Sequence, residues 1–379
     1  MNQGSLVMGR PETVGVSNEA LESAFRVISR EVEQGSLPGA VAVVGRKSQV
    51  IGLRAYGWAQ MYAQKRLMQV DTLFDLASLT KVVATLPSVL RLIDQGYIRL
   101  DDKLKTFVPE YVSEEVKIRH LLCHTSGLMP HRKFWEESLL GDELIKAVLA
   151  AAPEYTPGTK VVYSDLGFIL LGVLVERITG LDIAAYAKKH IFAPLGMMDT
   201  GFVPPPELAQ RAAATEFRKD LDKFMIGEVH DENAHAMGGV AGHAGLFSTA
   251  HDLSVFCQML LSQGTYRGTR VLSPAVVRAS ELCHTQGKED RRGLGWLLKS
   301  SENSLAGDLL PDSTFFHTGF TGTAIWIDRS HELFIILLTN RVHPTRDNEV
   351  MVRLRPRFCN AVAASIKDWG DGLCSTPMT

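Results

Sequence analysis

Phe74-Asp-Leu-Ala-Ser78-Leu-Thr-Lys81 holds the only Ser-x-x-Lys in the chain. The run that follows it, Val82-Val-Ala-Thr-Leu-Pro-Ser-Val-Leu-Arg-Leu-Ile-Asp-Gln-Gly96, is apolar and ends on a natural C′ glycine. It predicts a helix from about Ser78 to Gly96, kinked at Pro87. On that helix Ser78 and Lys81 are i and i+3 and share a face one turn apart. This is the placement a serine nucleophile needs to hand its proton to an amine. The helix start adds unpaired N–H groups and a positive field, which favour an alkoxide-like oxygen. Taken alone, a capping serine and a solvated lysine account for the motif better.

Two further segments shift that balance. Val162-Tyr163-Ser-Asp165 is the only Tyr-x-Asp/Asn in the chain and precedes an apolar run to Thr179 and Gly180. A phenol here accepts a serine proton if nearby Lys81 depresses its pKa; a core tyrosine followed by an Asp N-cap is the equal alternative. Phe316-His317-Thr-Gly319-Phe320 precedes a strand-like segment. Gly319 at a strand edge lets a substrate backbone approach, and the Phe320 N–H joins that of Ser78 as an oxyanion hole. A surface or interfacial role for His317 weighs equally.

Working outward, strand signals cluster at both chain ends. Asn18–Glu33 reads as a helix capped by Ser17, followed by a hairpin of Ala40–Gly45 and Gln49–Gly57. Thr323–Ile327 and Leu333–Leu338 are strand-like, and a closing helix is expected over about Phe358–Lys367 with Pro356 near its start. The middle is mostly helical, with a helix at about Ala250–Gln263. The expected fold is α/β (α+β): an antiparallel sheet flanked by N- and C-terminal helices, with a large, mostly helical inserted lobe. Residues 1–69 and 291–379 form the discontinuous α/β lobe, 70–290 the helical lobe, and the active site lies in the cleft between them.

Composition narrows the function. The 379 residues carry 40 Lys+Arg against 42 Asp+Glu, so there is no basic field for nucleic acid or anionic membrane. Hydrophobic content of 45% and charged content of 22% are those of an ordinary globular chain. No apolar run reaches the length of a membrane span, and the N-terminus shows no apolar leader core. As the sequence stands, this reads as cytoplasmic; removal of a leader would make it extracytoplasmic. The five cysteines, Cys123, Cys257, Cys283, Cys359 and Cys374, form no Cys-x-x-Cys and read as reduced thiols. His230, His235, His243 and His251 lie in a glycine-rich stretch without metal-site spacing, so no metal and no cofactor is expected. His124 and Ser126 lack a nucleophile elbow and read as a structural turn.

In order and spacing, the three motifs resemble the superfamily of serine β-lactamases, penicillin-binding proteins, D-aminopeptidases and carboxylesterases, most of all its class C β-lactamase-like branch. The likeness runs over about residues 12–367 and includes Pro38-Gly-Ala40, Leu121-Leu-Cys-His-Thr-Ser-Gly-Leu128, Phe192-Ala-Pro-Leu-Gly-Met197 and Gly245-Leu-Phe-Ser-Thr-Ala250. The segment Gly227–Gly245 is similar to a subgroup that includes N-acetylmuramoyl-L-alanine amidases. The resemblance implies an acylated Ser78, Lys81 as its proton partner and Tyr163 as general base. It puts Asp165 at a substrate-amide-binding position that is usually Asn, and His317 at a position that is usually Lys. Both departures make the site less positive, which weakens carboxylate anchoring and raises the pKa of Tyr163 and Lys81 alike. Which of the two is the base stays open. The expected partner is a small ester, amide or muropeptide, and the oligomeric state is unknown. A β-lactamase or D,D-carboxypeptidase proper, and a non-catalytic binding protein on the same fold, remain the alternatives.

Overall fold

The computed structural model describes residues 7–369. Its main sheet draws strands from both ends of the chain: β1 (Gly39–Arg46), β2 (Gln49–Gln60), β3 (Arg66–Leu67), β4 (Leu297–Leu298), β5 (Phe315–Thr318), β6 (Ala324–Asp328) and β7 (Leu333–Thr339). They run in the order β4-β5-β6-β7-β1-β2-β3, with antiparallel pairing throughout. The N-terminal strand β1 therefore sits inside the sheet, with Ala40 opposite Thr339 and Arg46 opposite Leu333.

The helices that frame the site are α1 (Asn18–Glu33), α2 (Leu86–Asp94), α3 (Asp165–Thr179), α4 (Ala250–Leu261) and α5 (Val350–Ala364). Successive strand side chains point to opposite faces of the sheet, and both faces are covered. In β7, Leu333, Ile335 and Leu337 join the α1 and α5 layer, while Phe334, Ile336 and Leu338 join the layer built on α2, α3 and α4. Burial on two sides is why β1 and β7 read as nearly unbroken apolar runs rather than alternating ones.

Ser17 caps α1 as expected, its hydroxyl accepting from Ala20 N. Three expectations need correction. The closing helix begins at Val350, and Pro356 lies inside it. Val352, whose carbonyl Pro356 cannot serve, is exposed, so water can take that carbonyl. The Ser78–Gly96 helix does not start on Ser78, which stands in the preceding turn; Lys81–Thr85 is π-wound, and Leu86 N–H reaches back to the Lys81 carbonyl. Pro87 has no N–H to give the preceding turn, and the wider π turn falls where that hydrogen bond is missing. Finally, Ser164 rather than Asp165 caps α3: its Oγ accepts from Gly167 N, and Asp165 is the first residue inside. Cys123, Cys257 and Cys359 are buried thiols and Cys283 is half-buried; Cys374 lies outside the described residues. No described helix is long and apolar enough to cross a membrane.

Candidate active site

The chain enters the site along a short strand, Phe74–Asp75, paired with Leu246–Ser248. Asp75 is buried and gathers three loops. Its carboxylate accepts from Ala77 N at 2.8 Å and His230 N at 2.6 Å, and its backbone carbonyl accepts from Thr321 Oγ1 at 2.7 Å. Ala77 is held at φ +46°, in the left-handed region that costs a residue with a side chain ~1–2 kcal/mol. The strained turn presents Ser78 to the cleft.

Lys81 is fully buried, and its ammonium donates three hydrogen bonds: to Ser78 Oγ at 2.9 Å, Asp165 Oδ1 at 2.7 Å and the His243 carbonyl at 3.1 Å. The third bond explains the glycine-rich run. A Cβ on Gly242 would lie 2.0 Å from the Phe168 carbonyl, so only glycine lets that loop press on α3 and reach Lys81. Burial opposes the Lys81 charge, but the negative charge of Asp165 and the neighbouring Tyr163 outweigh it, and the pKa is raised. Burial likewise raises Tyr163; Lys81 pulls it down, Asp165 pushes it up, and the net shift is upward. Lys81 does pull the phenol down as expected, but burial first, and then Asp165, outweigh it. For Asp165 burial is opposed by Lys81, His131 and His243, and its carboxyl is held well below the usual range. The resting site is a neutral phenol beside a Lys81–Asp165 ion pair.

His317 is buried rather than at the surface. Its Nδ1–H donates to the Thr318 carbonyl at 2.9 Å, which leaves Nε2 as an acceptor with no partner among the described residues. Burial first, then the charges of Lys81 and Arg292, push its pKa down to about 3. It is therefore neutral and brings no cation to the Tyr163 ring, 6.1 Å away. Gly319 lines the cleft, and packing alone requires it to be glycine. A Cβ there would lie 2.4 Å from the Leu76 carbonyl and 2.1 Å from Thr323 Oγ1, so the β5 end packs directly on the strand leading to Ser78. Phe320, the next residue, lines the same two cavities as Ser78. Among the described residues neither the Ser78 nor the Phe320 N–H has a hydrogen-bond acceptor.

Two cavities meet at Ser78 and Tyr163. One, of about 600 Å³, is lined by Arg292, His317, Arg341, Arg346 and Arg355. The other, of about 560 Å³, is lined by His131, Trp135, Asp165 and Asp231. Phe320 borders both, stacked on His230 at 5.7 Å with the Arg341 guanidinium 4.6 Å from its ring.

Sequence reasoning missed Arg292. Its side chain is 5% exposed, with Nε and Nη1 unpartnered among the described residues, and its guanidinium lies 5.7 Å from the Tyr163 ring. Nothing in Glu289-Asp-Arg-Arg292 marks it from its neighbour. It returns to the cleft the positive charge that His317 lacks. His131 was also missed; its Nδ1 meets Asp165 Oδ2 at 3.3 Å. The four loop histidines face carboxylates instead of one another. His230 meets Glu216 at 2.9 Å, His235 meets Glu228 at 3.9 Å, His243 meets Asp231 at 2.9 Å and His251 meets Asp252 at 3.1 Å. His124 Nδ1 accepts from Ser164 N at 3.0 Å, so it braces the Tyr163 segment.

The fold and the chemistry of this cleft are those of a serine hydrolase. Across residues 24–356 the sequence matches the family described as Beta-lactamase, and the chain belongs to that family. It is 32% identical over 378 residues to the N-acetylmuramyl-L-alanine amidase of Bacillus subtilis (strain 168), covering 89% of this chain and 85% of that protein. It is 31% identical over 377 residues to a protein of Escherichia coli (strain K12) named "Putative D-alanyl-D-alanine carboxypeptidase", covering 89% and 86%. In fold it is similar to EstCE1, described as a hydrolase with promiscuous acyltransferase activity: TM-score 0.74, 22% identity, 91% of this chain and 99% of that one.

Proposed function

We propose that the protein hydrolyses an amide or ester bond of a small, anionic, peptidoglycan-derived substrate through an acyl-Ser78 intermediate. The observation that carries this reading is the 2.9 Å contact from Lys81 Nζ to Ser78 Oγ, in a cleft lined by Ser78 and Phe320, whose backbone N–H groups have no acceptor among the described residues. Ser78 Oγ bonds to the carbonyl carbon, and the two N–H groups hold the oxyanion. Once Tyr163 has given up its phenolic proton to solvent, the tyrosinate beside the Lys81 cation takes the Ser78 proton and delivers it to the leaving nitrogen or oxygen as the scissile bond breaks. Water then adds to the acyl carbon and a proton returns to Ser78 Oγ. Lys81 acts as a fixed cation: its three donors are engaged and its raised pKa keeps it protonated. The lobes 1–69 with 291–379 and 70–290 each supply half of this site. Arg292 and Arg341 suit a substrate carboxylate, and the amidase relative suits a muropeptide.

Arg292 also favours a second reading, β-lactamase or D,D-carboxypeptidase activity, because it restores a carboxylate anchor. Intact-protein mass spectrometry after exposure to esters, muropeptides and penicillins decides between them by the mass of the adduct. A fluorophosphonate should add one label that Ser78→Ala abolishes. A label that survives in Ser78→Ala would remove Ser78 from the reaction.

A further inference from the structure

A third cavity, of about 470 Å³, shares no lining residue with the two at Ser78. Its walls bring together Cys123 and Cys283, with Arg119, His120, His284 and Lys288 around them. The neighbours of the two cysteines show how closely their segments pack. Arg119 stands one turn before Cys123, whose N–H donates to the Arg119 carbonyl at 3.0 Å. The Arg119 guanidinium in turn meets Nδ1 of His284, the residue after Cys283, at 3.0 Å. Gly295 N donates to the Leu122 carbonyl at 2.8 Å, which pins the two segments a second time.

The two thiols are free, and they differ in access. Cys123 is 1% exposed, whereas Cys283 is half-buried and opens on the cavity. Burial pushes the Cys123 thiol up to about 12 against the pull of Arg119 and Arg292, and Cys283 adds to the rise. Cys283 is therefore the thiol that meets a reagent first. His284 is closed to a metal ion, because Arg119 faces its Nδ1 and its Nε2 meets the Ala279 carbonyl at 2.8 Å. Each cysteine is also tied to the catalytic cleft. His124, next to Cys123, accepts from Ser164 N at 3.0 Å and has its ring 4.5 Å from that of Tyr163. His284 N donates to the carbonyl of Arg292 at 2.7 Å.

We propose that Cys123 and Cys283 form a modification site, a peroxide-responsive thiol pair whose disulfide slows the enzyme by drawing His124 away from Tyr163. The Cys283 thiolate attacks one peroxide oxygen, the O–O bond breaks, and hydroxide leaves, giving a sulfenic acid. The Cys123 sulfur then bonds to the Cys283 sulfur; the S–O bond breaks and the hydroxyl departs with the Cys123 proton as water. In sum two thiols and one hydrogen peroxide give one disulfide and two waters: the sulfurs are oxidised and the peroxide oxygens reduced. A disulfide holds its two Cα atoms within a narrow range of separations, so closing it moves the segments that carry His124 and His284.

The test treats the protein with hydrogen peroxide, removes the excess, and maps its peptides without reduction while kcat/KM for p-nitrophenyl acetate is measured. A peptide pair joined through Cys123 and Cys283 should appear. The rate should fall by ~10–100-fold, the cost of misplacing a proton carrier by up to ~1 Å, and return with dithiothreitol. Cys283→Ser should start at the native rate and keep it through the same treatment. In Cys123→Ala, dimedone should trap Cys283 as the sulfenic acid. The proposal is overturned if no joined pair forms, if Cys283 of the native protein runs on to the sulfinic acid, or if Cys283→Ser loses as much rate as the native protein. Peptide mapping needs no turnover. A protein that cleaves no ester would refute the hydrolase reading, while the masses still decide whether the thiols pair.

Discussion

Replacing Asp165 by asparagine removes one buried negative charge at almost constant volume. Lys81 Nζ lies 2.7 Å from Asp165 Oδ1. At an effective dielectric constant of ~20, that separation corresponds to about 6 kcal/mol of attraction before the cost of burying the carboxylate is subtracted. Measured effects of a neighbouring opposite charge are smaller, ~1–3 pKa units. Asp165 pushes the pKa of Lys81 and that of Tyr163 in the same direction, upward. Its loss therefore lowers both. One proton must leave the Lys81–Tyr163 pair before Ser78 is activated, and the observed titration belongs to the pair. The acid limb of kcat/KM should move to lower pH by ~1–3 units in Asp165→Asn, with the Ser78 fluorophosphonate rate following it. Measuring kcat/KM for p-nitrophenyl acetate against pH in both proteins checks this. A limb that stays in place or moves upward would refute the electrostatic account of the site.

Tyr163→Phe should cost ~10²–10⁴ in kcat/KM at every pH, since it deletes the proton carrier; a loss of only a few-fold would return that role to Lys81. Arg292→Gln should cut kcat/KM for carboxylate-bearing nitrocefin by about tenfold or more relative to p-nitrophenyl acetate, chiefly through KM. Burial opposes the ionised Glu216, but hydrogen bonds from His230 and Arg346 win and hold its pKa down to about 2. Its stabilisation is present above the ordinary glutamate range and fades as pH falls toward 2. Glu216→Gln should therefore lower Tm near neutral pH, by an amount equivalent to about 1–3 kcal/mol, and lose less than the native protein on acidification.

The architecture was legible because local signals agree with the global packing. Ser17 and the stripe of α1, the apolar runs of β1 and β7, and Gly96 and Gly180 as helix stops each follow from short-range chemistry. Ser78 and Lys81 were legible through their i, i+3 spacing, although the helix itself starts at Leu79, one residue after the serine. What the sequence concealed is long-range. Asp165 reads as a cap because its position before an apolar run says so, whereas its charge is spent on Lys81, 84 residues earlier. Arg292 and His131 become site residues only when the loops that carry them fold over Tyr163. Gly319 advertises a close approach correctly, and the Leu76 carbonyl is one backbone group that makes it. The direction of the Tyr163 shift was open because burial and two opposing charges compete there, and no spacing rule ranks them.

The placement of β1 inside the sheet has a consequence for synthesis. Its β2 neighbour follows it at once, but its other neighbour, β7, is among the last elements to be made. At ~5–20 residues per second, that edge of β1 waits on the order of 15–60 s for its partner. During the wait, backbone groups and the side chains of Val41, Val43 and Val44 lack the strand and layers that bury them in the finished protein. Ser78, Lys81 and Tyr163 are already translated by then, yet Phe320 and Arg292 arrive only with the last third of the chain. A ribosome-bound fragment ending before β5 should thus be unable to acylate. The nascent chain carries its nucleophile for most of its synthesis, and hydrolytic competence comes with closure of the sheet.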